Sequence, residues 1–72
     1  MYLKIKVFVD SRNERVEKLS DEEWRVWTKK PAEQNLANSR VLELLHEEFP
    51  NEPIRMVSGH HSPSKIFSIG DN

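Results

Sequence analysis

The chain has 72 residues, 36% of them apolar, and no cysteine, so it holds one small domain with neither disulfides nor thiolate metal ligands. A domain of this size buries only about 60% of the surface its unfolded chain exposes, which limits the core to contacts between a sheet and one helix. Eleven basic and twelve acidic side chains leave a net charge of −1, not that of a strongly charged nucleic-acid binder, and no apolar run approaches the ~20 residues of a membrane-crossing helix.

Residues 2–9 alternate. Leu3, Ile5, Val7 and Val9 fall on one face and Tyr2, Lys4, Lys6 and Phe8 on the other, the period of a half-buried strand. Its lysines interrupt the apolar stretch that a signal peptide needs, so a cytoplasmic location is expected. Asp10-Ser11-Arg12-Asn13 is turn-forming, and a short second strand carrying Val16 and Leu19 follows it. Residues 20–31 support two readings. Ser20 three residues before Glu23 is a capping box for a helix, whereas Trp24-Arg25-Val26-Trp27-Thr28 alternates and is rich in β-formers. Pro31 leaves a helix there only about two and a half turns.

The clearest helix covers about residues 34–49. Ala37, Val41, Leu42, Leu44, Leu45 and Phe49 share one broad face, Leu36 points away, and Pro50 ends it. Asn38 lies inside that apolar arc. Ile54-Arg55-Met56-Val57 and Lys65-Ile66-Phe67-Ser68-Ile69 read as closing strands around a polar loop at residues 58–64. The order predicts an α+β, two-layer domain over residues 1–72, with a mixed four- to five-stranded sheet and the helix packed on one face.

Pro31-Ala32-Glu33-Gln34-Asn35-Leu36-Ala37-Asn38, followed by the helix, resembles the Pro-rich, Gly-x-Ala-Asn signature of the YggU-like family of small α/β domains. Ser58, Gly59, Ser62 and Lys65 match that family's second signature, a Ser-Gly-x-x-Ser-x-x-Lys loop before the last strand, and residues 4–7 match its Lys-x-x-Val opening strand. Asn35 stands where the family has glycine, Leu36 where it tends to have lysine, and Pro63 where it tends to have arginine. The family has no assigned biochemical function. The resemblance implies a mixed sheet with helical packing on one face, and it implies a strand for residues 20–31.

Two surfaces are candidate sites. The first joins Asn38 to the residue 58–64 loop. Asn38 either holds a ligand at the helix start or, in the simpler reading, hydrogen-bonds loop backbone that would otherwise be unsatisfied. Gly59 permits close backbone approach, Ser62 and Ser64 offer hydroxyls, and Lys65 offers charge, which together suit an anion or a partner. The simpler reading is a loop whose serines cap its own backbone. His60 and His61 point opposite ways in an extended chain, and zinc needs three or four convergent ligands, so no metal site is assigned. No cofactor is expected, and neither a P-loop nor a Ser-His nucleophile with its oxyanion hole is visible.

The second surface is the sheet face away from the helix. Residues 1–40 carry nine basic and seven acidic side chains, whereas residues 41–53 carry four glutamates and no lysine or arginine. Outward placement of Tyr2, Lys4, Lys6, Arg25, Trp27, Lys29 and Arg55 interleaves aromatics with cations, as in single-stranded RNA binders. The sequence therefore favours a monomeric, non-enzymatic binding module with its site at the helix start and the loop ending at Lys65. Its alternative is a nucleic-acid-binding sheet face.

Overall fold

A computed structural model describes residues 1–70. Five strands form one mixed sheet: β1 (Tyr2–Phe8), β2 (Arg15–Lys18), β3 (Glu23–Trp27), β4 (Ile54–Ser58) and β5 (Ser64–Ile69). A short 3-10 turn (Glu33–Asn35) leads into the helix α1 (Leu36–Glu48) between β3 and β4. The spatial order is β2-β3-β1-β5-β4, with β1 and β3 parallel and the remaining pairs antiparallel. The expected α+β two-layer architecture is therefore present, with five strands.

Alternation sets which side is buried. Leu3, Ile5 and Val7 of β1, Trp24 and Val26 of β3, and Phe67 and Ile69 of β5 point to one face. Ala37, Val41 and Leu45 of α1 close over them, with Leu42, Leu44 and Phe49 partly buried at the margin. Phe49 stacks on Trp24 with ring centroids 6.0 Å apart. Lys18 lies over the Trp24 ring at 5.0 Å and reaches Glu48 at 3.0 Å, tying edge strand β2 to the end of the helix. Leu36 is exposed, as its angular position requires.

Within residues 20–31 no helix forms; the strand β3 covers Glu23–Trp27. Register explains why: Trp24 sits beside Ile5 and Val26 beside Val7, so β3 completes the apolar layer from a central position. The Ser20 hydroxyl accepts the Glu22 N–H at 3.2 Å in a local turn instead of capping a helix. The second strand spans Arg15–Lys18, so Leu19 falls beyond it and is exposed. The helix starts out of two successive left-handed residues, Gln34 (φ 54°) and Asn35 (φ 60°). Asparagine tolerates this geometry; glutamine does so only with strain.

The turn between β1 and β2 is clamped to the helix. Arg40 donates from Nε and Nη2 to the two carboxylate oxygens of Glu14, both at 2.7 Å. These bonds hold the Glu14 carboxyl below its ordinary value of 4.5, helped by the charges of Arg40, Lys29 and Lys30. A lowered folded value means that the stabilisation is complete above pH 4.5 and is lost as pH falls through the folded value. Thermal unfolding followed across the acid range should therefore show a midpoint that drops on acidification. Glu14→Gln should be less stable than the parent at neutral pH and lose less of its midpoint in acid. Parallel acid profiles for the two proteins would refute the clamp.

Candidate functional site

The loop between β4 and β5 is organised around Lys65. This residue follows the inward parity of Phe67 and Ile69, stands beside Ile5, and is 6% exposed. Its ammonium donates to the carbonyls of Ser62 at 2.7 Å and Gly59 at 2.8 Å, with a longer contact to that of His60 at 3.5 Å. Burial lowers its pKa below that of an ordinary lysine. The loop folds back at Gly59, where φ is +88° and an added Cβ would lie 2.3 Å from the Ser64 carbonyl oxygen. Ser62 donates its N–H to Gly59 O at 3.1 Å and accepts the Ser64 N–H on its hydroxyl at 3.1 Å.

These contacts change the roles expected of this loop. Lys65 was expected to offer its charge to an anion; its N–H groups are instead directed at the loop's own carbonyls. Gly59 was expected to admit a ligand; the space beside its Cα is filled by the backbone of residues 64 and 65. Ser62 caps its own loop. Ser58 is exposed, next to an irregularity in the β4–β5 register between Met56 and Ser58. The Ser-Gly-x-x-Ser-x-x-Lys spacing thus has a physical account: a glycine for the fold-back, a serine for the cap, and a lysine to bind the carbonyls from inside.

Asn38 is half-buried on the first turn of α1. Its side-chain amide donates to Asn35 Oδ1 at 3.4 Å and to the His60 carbonyl at 3.5 Å, both near the long limit of a hydrogen bond. The helix start and the loop therefore meet at His60 O, which Lys65 approaches from beneath. Pro63 O accepts the Val7 N–H at 2.7 Å, which fixes the loop to the end of β1.

Between these elements lies a cleft of about 300 Å3. Val7, Val9, Ala32, Ala37 and Pro63 supply apolar walls; Asn38, His60, His61, Ser62 and Lys65 supply the polar ones. Its volume is at the lower end of the range typical of small-molecule sites. Among the described residues, no three His, Asp or Glu side chains converge as metal ligands do. No helix among the described residues is long and apolar enough to cross a membrane.

On the opposite face of the sheet, Arg15, Trp27 and Phe8 form one row across β2, β3 and β1. Phe8 and Trp27 stack with centroids 4.9 Å apart and planes 10° apart, and Arg15 lies over Trp27 at 4.8 Å. Strand order puts Arg15 and Phe8 on opposite sides of Trp27. Both faces of the indole are therefore occupied, and Trp27 is half-buried. A base cannot lie flat on it, which corrects the expectation of a stacking platform at Trp27. Arg25 is paired with Glu17 at 3.4 Å. Lys29 lies past the end of β3, where its charge helps lower the Glu14 pKa, so it does not belong to the sheet face. Tyr2, Lys4, Lys6 and Arg55 do project from the open face and are exposed.

Sequence reasoning missed three features. The inward role of Lys65 was available from its parity with Phe67 and Ile69. The Glu14–Arg40 clamp and the Phe8–Trp27 stack depend on tertiary placement and had no local signal. No family model matches the chain, and no solved structure matches it.

Proposed function

We propose that this chain is a non-enzymatic, YggU-like binding module whose ligand enters the cleft between the start of α1 and the residue 58–64 loop. One observation carries the reading. The two segments that bear the family-like signatures come together at Asn38 and His60 O, and beside them is a concave space with apolar walls and a polar rim. Small-ligand sites have this composition: apolar surface for affinity and a few polar groups for orientation. The strained left-handed pair at Gln34 and Asn35 adds support, because such strain collects at ligand clamps.

With Lys65 directed at carbonyls, a bare anion has little to gain there. The ligand that fits is small, with an apolar body for Val7, Ala37 and Pro63 and an acceptor group for the rim histidines, since both amide protons of Asn38 are directed at Asn35 and His60. Amide-shift mapping by NMR with benzoate, indole and inorganic phosphate tests this. Benzoate should give saturable shifts confined to Val7, Ala37, Asn38 and residues 60–62, and phosphate should give none. Shifts scattered over the molecule, or no saturation with any of the three probes, would overturn the reading.

A further inference from the structure

The open sheet face divides into two halves. In one, cations and rings are already engaged with each other: Arg15 on Trp27, Trp27 on Phe8, and Arg25 with Arg15 on Glu17. The other half is built from the start of β1 with β5 and β4. Register puts Lys4 beside Ile66, and Tyr2 beside Ser68, which in turn stands beside Arg55. Tyr2 is 58% exposed and Ile66 37%. Ser68 is almost fully buried although it points to this face, so its long neighbours cover it. Among the described residues, no carboxylate pairs with Lys4, Lys6 or Arg55. Glu23 is the register partner of Lys4 and does not engage it. Lys6 lies over the Phe8 ring at 5.5 Å.

From this we infer that the half-face of Tyr2, Lys4, Lys6, Ile66 and Arg55 is a docking surface for single-stranded nucleic acid. Lys4 and Lys6 project two residues apart along β1, about 7 Å, and Arg55 lies two strands from β1, about 10 Å across the sheet. Such an array meets successive phosphates of an extended strand, while the free Tyr2 ring and Ile66 between the cations receive a base. The charge distribution supports a polyanion on this side. On the helix side Glu48 is paired with Lys18, while Glu14, Glu43 and Glu47 share the single charge of Arg40, so the excess there is acidic and does not attract a polyanion. An amphipathic helix needs an apolar groove, which a face interrupted by Lys4, Lys6 and Arg55 does not provide. A membrane surface needs more buried apolar area than Tyr2 and Ile66 offer.

Fluorescence anisotropy with a labelled oligouridine of about ten nucleotides, repeated over a range of salt, tests this. Binding should be present at low salt, and the logarithm of the association constant should fall linearly with the logarithm of salt concentration. The double variant Lys4→Gln/Lys6→Gln should flatten that line by about 0.7 of log slope per phosphate contact removed. Tyr2→Ala should weaken binding about tenfold, and Tyr2→Phe should restore most of it because the ring is kept. All three side chains are exposed, so the variants should keep the fold, which their amide spectra will verify. No binding at low salt would overturn the inference, as would variants that bind like the parent. Tighter binding to phosphatidylserine vesicles or to polyglutamate than to the oligouridine would equally overturn it and reassign the face.

Discussion

Leu45→Ala should lower the free energy of unfolding by about 2–5 kcal/mol. Leu45 is 1% exposed and lies where the helix meets the sheet, in one cluster with Leu3, Ile5, Val41 and Phe67. The sheet beneath is fixed by its hydrogen-bonded neighbours, so it cannot collapse far into the space left by the truncated side chain. At roughly 0.05–0.15 kcal/mol per residue, the whole domain has a stability of about 4–11 kcal/mol, and the loss is a large share of it. Urea unfolding followed by tryptophan fluorescence is the measurement, since Trp24 is buried in the same core. The midpoint should fall with little change in slope. Leu36→Ala is the matched comparison: Leu36 is on the same helix, is 41% exposed, and should cost less than about 0.5 kcal/mol. Equal midpoint shifts for the two variants would show that the helix does not bury the face assigned to it.

That face was readable because the pattern has only one solution. Val41 and Leu45 are four apart, Leu3, Ile5 and Val7 two apart, and each set has a single direction that avoids water. Residues 20–31 had no such solution. A capping box and an alternating strand were both locally consistent, and the choice was made by a vacancy elsewhere: β1 needed a neighbour that put Trp24 and Val26 against the helix. Leu19 shows the same limit at an element end, since only the four residues opposite β3 pair as strand.

The candidate site was legible as a location more than as a mechanism. Asn38 does approach the residue 58–64 loop, but at 3.4–3.5 Å from a half-exposed position, so it links the two segments weakly. The strong bonds of the loop are those of Lys65, which tie it to β5 and not to the helix. Parity with Phe67 and Ile69 gives the inward direction of this lysine, but a buried ammonium also needs carbonyls, whose convergence no one-dimensional pattern reports. At Trp27 the difficulty was of the same kind. Its outward direction followed from parity, but the partners on its two ring faces followed from registers with β1 and β2 that only the fold defines.

Gly59→Ala should destabilise the domain by about 2–4 kcal/mol, well beyond the loss expected for an ordinary loop substitution. Two effects act together. A φ of +88° is unfavourable for any L residue with a side chain, and the new methyl carbon would meet Ser64 O at 2.3 Å and Lys65 Cα at 2.9 Å. Those are backbone atoms of the paired strand β5, so relief has to come from the loop itself. A loop that moves carries Gly59 O and Ser62 O with it, and both bind the Lys65 ammonium. The substitution therefore adds a poorly satisfied buried charge to the local strain. Ser62→Ala removes one backbone cap and should cost only about 0.5–1.5 kcal/mol. A chain of 72 residues is also within reach of chemical synthesis, which permits D-alanine in place of Gly59. A D residue favours positive φ and carries its methyl on the other side of Cα, so it should recover much of the stability that L-alanine loses. If L-alanine and D-alanine at this position prove equally stable, neither the φ nor the close approach is what the loop requires of Gly59.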